Sequence, residues 1–331
     1  MQNRLITVTL SALLFIGLVS FIDHAPVYAQ AATNAQSSGQ ALEIGPPVIN
    51  LSADPGQTIK TTISIRDISN TNLLVKGQVN DFVADGEDGT PKILLDANEV
   101  SPYSLKGWLS TLPDMVLKPK EVHELPISIS VPSNASPGGY YGIVRFTGTP
   151  PDLNGTGISL SASLGSLILM TVNGNATHKL SVAEFSVNHN GSGGPVFESA
   201  PLKFVTRLSN SGNIHETPSG LVTITDMFGH QLATLSVNQP ARDILPGSIR
   251  KFETSLDNTN IGNKVLFGKY TAVLSLDYGT DQKVNATITF WVIPYTLIII
   301  VLIGLIVGFF GIRYLIRRYN QHIMGKARPR R

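Results

Sequence analysis

Four carboxylates stand close together at Asp81, Asp85, Glu87 and Asp88, a density of oxygen ligands that would suit Ca²⁺. Their spacing is not the Asp-x-Asp-x-Asp-Gly of a dedicated calcium loop, and the run Asp85-Gly-Glu-Asp-Gly-Thr-Pro91 reads first as a solvated hairpin tip. Both readings stand. The histidines His123, His178, His189, His215 and His230 are scattered without metal-ligand spacing and read as surface or turn residues. No His-Glu-x-x-His, Gly-x-Ser-x-Gly, phosphate-binding loop or dinucleotide fingerprint occurs. The expectation is therefore a non-catalytic protein with no cofactor and no assigned metal site. Recognition chemistry falls instead to aromatic residues. Tyr140 and Tyr141 cannot both face inward from a regular strand, so one is expected at the surface, where a ring beside glycines stacks on a sugar or packs on a partner. Tyr140 and Trp108 are the candidate binding-surface residues, with core filling as the other reading of Trp108. Tyr141 and Tyr270 are assigned structural roles.

The elements that hold these residues begin with the ends of the chain. Pro294 to Ile312 contains no charged side chain. About 19 residues at about 1.5 Å rise each span roughly the hydrocarbon core of a bilayer, which predicts a transmembrane helix over 294–316. Arg313, Arg317, Arg318, Lys326, Arg328, Arg330 and Arg331 follow, with no acidic residue after Asp281. By the positive-inside rule this predicts a basic cytoplasmic tail, 317–331, and an N-terminal ectodomain outside the cell membrane in a single-pass arrangement. At the other end, Arg4, an apolar run from Leu5 to Ile22 and the small residues of Val27-Tyr28-Ala29 predict a signal peptide over 1–29. A polar leader, 30–40, follows, too poor in large apolar residues to order itself. The chain has no cysteine, which excludes disulfides and a lipobox. From Gln30 to Ile293 there are 17 Lys and Arg against 22 Asp and Glu. A mildly acidic ectodomain argues against nucleic acid as a ligand.

Between the ends the pattern is one of strands: short alternating apolar runs such as Gln57 to Arg66 and Lys269 to Leu276, broken by Gly, Pro, Asn and Asp. Three landmarks occur twice in the same order. The first set is Ile65-Arg-Asp-Ile-Ser-Asn-Thr71, Leu117-Lys-Pro-Lys-Glu121 and Pro137-Gly-Gly-Tyr-Tyr141; the second is Val205-Thr-Arg-Leu-Ser-Asn-Ser211, Ile244-Leu-Pro-Gly-Ser248 and Leu266-Phe-Gly-Lys-Tyr270. Aligning them pairs Asn70 with Asn210 and Tyr141 with Tyr270, and casts both tyrosines as corner residues bonding the backbone from inside a sandwich. The expected fold is all-β, with two tandem immunoglobulin-like β-sandwiches over 41–174 and 175–293, a signal peptide and one C-terminal transmembrane helix. The boundary near Val172-Asn-Gly-Asn-Ala-Thr177 is expected to be crossed by few contacts.

Val79-Asn-Asp-Phe82, Tyr103-Ser-Leu-Lys-Gly-Trp-Leu109, Leu117-Lys-Pro-Lys-Glu121, Ile129 to Gly142 with its Pro-Gly-Gly-Tyr-Tyr, and Phe290-Trp-Val-Ile-Pro294 carry a resemblance. The chain resembles uncharacterised membrane-anchored surface proteins of bacteria that are similar in turn to the WxL-interacting protein family. That resemblance implies two Ig-like domains, binding of cell-wall polymer by the first domain, and contact with a surface protein or host by the second. Expected partners are thus membrane lipid through the C-terminal helix and either a cell-wall polymer or a surface protein. Because Trp291 leaves almost no stalk before the helix, an accessory extracytoplasmic subunit of a membrane complex is the alternative.

Overall fold

The computed structural model describes residues 42–96, 98–149, 162–262 and 264–326; the expected signal peptide and leader lie outside them. In the first sandwich, β1 (Leu42–Gly45), β3 (Thr58–Asp67) and β7 (Val122–Ser130) make a three-stranded sheet in the order β1-β3-β7. Facing it are β2 (Val48–Ala53), β4 (Leu73–Asp85), β5 (Thr90–Leu94), β8 (Gly138–Thr149) and β9 (Ala162–Val172), in the order β2-β9-β8-β4-β5, with short β6 (Met115–Leu117) also on β4. Alternation drives the pairing of faces. Along β3, Ile63, Ile65 and Asp67 point inward and are buried, while Lys60, Thr62 and Arg66 point to solvent. With Val75, Ile127, Ile129 and Phe146 these isoleucines form the first core.

The second sandwich repeats the plan. β10 (Leu180–His189), β11 (Ser192–Gly193), β13 (Leu202–Asn210) and β16 (Ile249–Leu256) lie in the order β11-β10-β13-β16. β12 (Val196–Phe197), β14 (Ser219–Asp226), β15 (Gln231–Val237), β17 (Gly268–Tyr278) and β18 (Gln282–Val292) lie in the order β12-β18-β17-β14-β15. Its core is built on Phe204, Leu208, Val222, Ile224, Leu274 and Phe290. In both copies the opening segment divides between sheets. Its first part runs antiparallel to β3 or β13; its second part runs parallel to the last strand, β2 on β9 and β12 on β18. The shared strand order is immunoglobulin-like and makes the internal duplication explicit.

Two alignments drawn from sequence shift. The counterpart of Asn210 is Asp67, three residues before Asn70: Leu42 pairs with Asp67 as Leu180 pairs with Asn210. Their backbone N–H groups donate to Glu121 and Ser248 O, both at 3.0 Å. Their side-chain Oδ1 atoms accept from Ser69 N at 2.7 Å and Gly212 N at 2.9 Å. The two Pro turns do correspond. Glu121 N reaches Lys118 O at 3.0 Å and Ser248 N reaches Leu245 O at 3.2 Å, with Pro at the second position and positive φ at the third, 65° at Lys120 and 73° at Gly247.

After β18 the chain passes Ile293 and Pro294 and enters a helix, Tyr295–Lys326, that follows the short capped helix α1 (Asn258–Ile261) and is labelled α2. Residues Tyr295–Asn320 of α2 are long and apolar enough to cross a membrane, and all of them are exposed.

Candidate binding site at the junction of the sandwiches

β8 carries both candidate tyrosines, and its two faces are both covered. Tyr140, Val144 and Phe146 face the first core, and Tyr140 lies against Trp108 with ring centroids 4.2 Å apart. Trp108 ends a 3₁₀ turn, Lys106–Trp108, and is half-buried. Tyr140 is therefore an inward residue, contrary to the expectation that it points away from the core. Its hydroxyl donates to Ser136 O at 3.1 Å. Tyr270, in the second core, has its hydroxyl 3.2 Å from Phe267 N. Gly138-x-Tyr140 and Gly268-x-Tyr270 are thus the matching pair, one residue off the sequence alignment.

Tyr141 faces the other way, yet it is only 2% exposed, because the second sandwich covers it. It clusters with Phe82, Ile143 and Leu169 of its own sheet and with Leu245 from across the junction. Its hydroxyl lies 3.3 Å from His215 Nδ1. Burial pushes the phenol above its ordinary range and the His215 imidazole below its own, the latter partly offset by Asp243. A neutral ring accepting the phenol's proton at Nδ1 satisfies both shifts. The two glycines before the tyrosines are explained here. A Cβ on Gly139 would stand 1.9 Å from the Tyr141 hydroxyl, and Gly138, at φ 145°, presses against Asn213 O.

Contacts cross the boundary in number, contrary to the expectation of a sparse junction. Gly139 N donates to Asn213 O at 2.8 Å, Asn213 Nδ2 to Pro137 O at 2.9 Å, and Thr177 N to Asn213 Oδ1 at 2.8 Å. One asparagine therefore ties together both sandwiches and the linker. On the far side of the junction, Arg207 bridges Glu87 of the first sandwich at 2.7 Å and Glu184 of the second, and Lys251 N donates to Glu87 O at 2.7 Å. Arg250 lies over Gly89, donating to Asp88 O at 3.0 Å and to Asp243 O at 2.5 Å.

Of the four clustered carboxylates Asp85 stays exposed, and the other three are engaged. Asp81 is buried and accepts from Ser101 N at 3.2 Å and the Ser104 hydroxyl at 2.8 Å, Glu87 pairs with Arg207, and Asp88 holds Thr90. These three turn to separate partners, and among the described residues no group of three or more His, Asp or Glu is placed to hold a metal ion.

Between the sandwiches a cleft of about 350 Å³ remains open. Its floor is the outer face of the larger first sheet, with Val48, Ala84, Leu167 and Leu169, and its opposite wall is the segment Ala241 to Arg250. Its polar lining residues are Asn50, Arg242, Asp243, Ser248 and Arg250, the last with its guanidinium turned to Asp243 O and Asp88 O. An aliphatic floor with a few polar groups at its margin suits an apolar side chain of a partner segment. Sequence reasoning did not assemble this cleft. Its signal in the sequence is the loss of apolar–polar alternation on β9, where Leu167, Ile168, Leu169 and Met170 place apolar side chains on both faces.

No family model matches the chain, and no curated protein matches it. Among solved structures, the YadV chaperone is 10% identical, with a TM-score of 0.37, over 76% of this chain and 100% of that one. The E. coli chaperone DraB is 16% identical, with a TM-score of 0.34, over 75% and 96%. A protein of unknown function from Porphyromonas gingivalis W83 is 14% identical, with a TM-score of 0.29, over 75% and 100%.

Proposed function

We propose that this chain is a non-catalytic, single-pass membrane-anchored surface protein that binds a segment of another surface protein in the cleft between its sandwiches. The observation that carries the reading is the apolar lining of that cleft, with Val48 on its floor 43% exposed and Ile249 on its opposite wall 40% exposed. Cell-wall polymer is the less favoured ligand of the two. Sugar rings stack on exposed aromatic faces, whereas Tyr140 and Trp108 pack on the first core and Tyr141 is buried at the junction. The exposed apolar helix Tyr295–Asn320, followed by Arg and Lys and no acidic residue, supports an ectodomain outside and a tail inside. The resemblance to relatives of the WxL-interacting family agrees with this placement.

A photocrosslinking residue at Ala84, in the full chain on intact cells, tests the reading. It should capture a discrete protein, Val48→Glu should abolish the product, and the same probe at Leu221, which is exposed away from the cleft, should give none. Retention on purified cell wall with no protein product would favour the polymer. Protease added to wall-stripped cells should remove the sandwiches and spare a tag after Arg331.

A second reading rests on the connection between β18 and α2. Only Ile293 and Pro294 separate them, which favours an accessory subunit held beside a membrane complex. Stoichiometric recovery of a membrane protein with the solubilised chain would support it.

A further inference from the structure

The end of the second sandwich that leads into α2 exposes large apolar side chains from separate parts of the chain. Phe228 is 74% exposed and Phe267 60%, with Val265 and Met227 exposed beside them. They are brought to one end by strand register. Asp226, at the base of the Phe228 tip, pairs with Tyr270; Gly268 pairs with Val292 and Lys269 with Trp291. Val265 and Leu266 also share a hollow with Thr296, Leu297 and Ile300 of the first turns of α2.

The Phe228 tip is held rigid in its outward pose. Asp226 Oδ1 accepts from Phe228 N at 2.9 Å and His230 N at 2.8 Å, Gly229 N donates to Asp226 O at 3.1 Å, and Gly229 takes φ 85°. Such a turn uses its polar groups within itself and leaves the ring largely exposed, with the His230 ring 6.3 Å away as a neighbour. Lys264 and Lys269 are exposed at the same end. Aromatic and aliphatic tips flanked by lysines are the side chains that the interfacial layer of a bilayer accepts.

The connection fixes the height of this end. Trp291 N and Ile293 N donate to Pro195 and Phe197 O, each at 2.8 Å, so the chain is held to the sandwich up to Ile293. Ile298 N already donates helically to Pro294 O at 3.0 Å. From Val292 to Tyr295 is three residues, at most about 10 Å even fully extended. The headgroup layer is itself about 5–8 Å deep. We propose that this end of the second sandwich is a lipid-contacting surface, with Phe228 and Phe267 seated in the interfacial layer of the outer leaflet. The proposal rests on α2 being the membrane anchor.

The absence of cysteine allows a direct test. Phe228→Cys, Phe267→Cys, Leu221→Cys and Ile303→Cys, each carrying a nitroxide in the full chain, are reconstituted into phosphatidylcholine–phosphatidylglycerol vesicles. Collision with oxygen is compared with collision with a water-soluble nickel chelate. Labels at 228 and 267 should show an oxygen-to-nickel ratio several-fold above that at 221 and below that at 303. A water-exposed label at 228 and 267 with an oxygen-rich label at 303 overturns the lipid contact and leaves the anchor standing. Water exposure at 303 overturns both. Shielding of 228 from both collision partners shows that protein covers it, and overturns the proposal as well.

Discussion

Tyr140 and Tyr141 are adjacent and do opposite jobs, and their consequences separate cleanly. Tyr140→Ala removes a ring from the first core and should cost about 3 kcal/mol in chemical denaturation. Tyr141→Phe removes only the hydroxyl that meets His215 and should cost about 1 kcal/mol. Gly139→Ala drives a methyl group toward that hydroxyl, with an expected loss of about 1–3 kcal/mol. In a Tyr141→Phe background the same substitution should cost less, and a double-mutant cycle reads the difference. An additive cycle would mean that the hydroxyl is not what Gly139 accommodates. The pH dependence has a definite sign. Burial lowers the His215 pKa in the folded state, so folding holds fewer protons than the unfolded chain, whose histidine titrates near about 6.5. Stability from this residue is complete above that value and is lost as pH falls through the lowered folded pKa. Burial raises Glu216, with His178 opposing, which acts in the other direction. The His215→Gln variant, melted beside the parent across the acid range, should therefore lose less stability on acidification. The Gly-Gly-Tyr-Tyr run was legible as a special site, but which ring faces the core was not. Period-2 reasoning assumes one wet face, and here the second sandwich covers the other.

At the level of elements, the two Pro turns were visible because their chemistry is local. Pro sets φ at the second position, and the third must be left-handed, a state Gly247 adopts freely and Lys120 adopts at a cost. Gly247→Ala should destabilise by about 1 kcal/mol, read as a shift in denaturation midpoint with unchanged slope. The slip from Asn70 to Asp67 has an equally physical origin. Both Asp67 and Asn210 cap their strand with a side-chain oxygen, so chemistry and not the identical letter marks the equivalent position. β2 and β12 were not read as parallel partners of the last strands, since six and two residues carry no period that reveals a distant partner.

For the whole molecule, two sandwiches, one apolar helix and their order were legible from hydrophobic pattern and turn spacing; the joint was not. It depends on Asn213, Arg207 and Gly138–Gly139 meeting across residues far apart in sequence, and none of them has a signature of its own. Asn213→Ala combined with Arg207→Ala should free the joint. Small-angle scattering of the detergent-solubilised chain is expected to show a broader distribution of interdomain distances, with each sandwich intact by circular dichroism. The parallel strand in the opening segment of each sandwich, β2 or β12, has a different consequence once the chain is pulled and the antiparallel β1 or β10 ahead of it has peeled away. Tension between the two ends draws β2 and β9, or β12 and β18, past each other along their length, so the hydrogen bonds between them share the load and fail together. β2 meets β9 over six residue pairs, β12 meets β18 over two. In an optical trap the second sandwich, the one that leads into α2, should therefore rupture first and at lower force, acting as a fuse that lengthens the chain while the first sandwich stays folded.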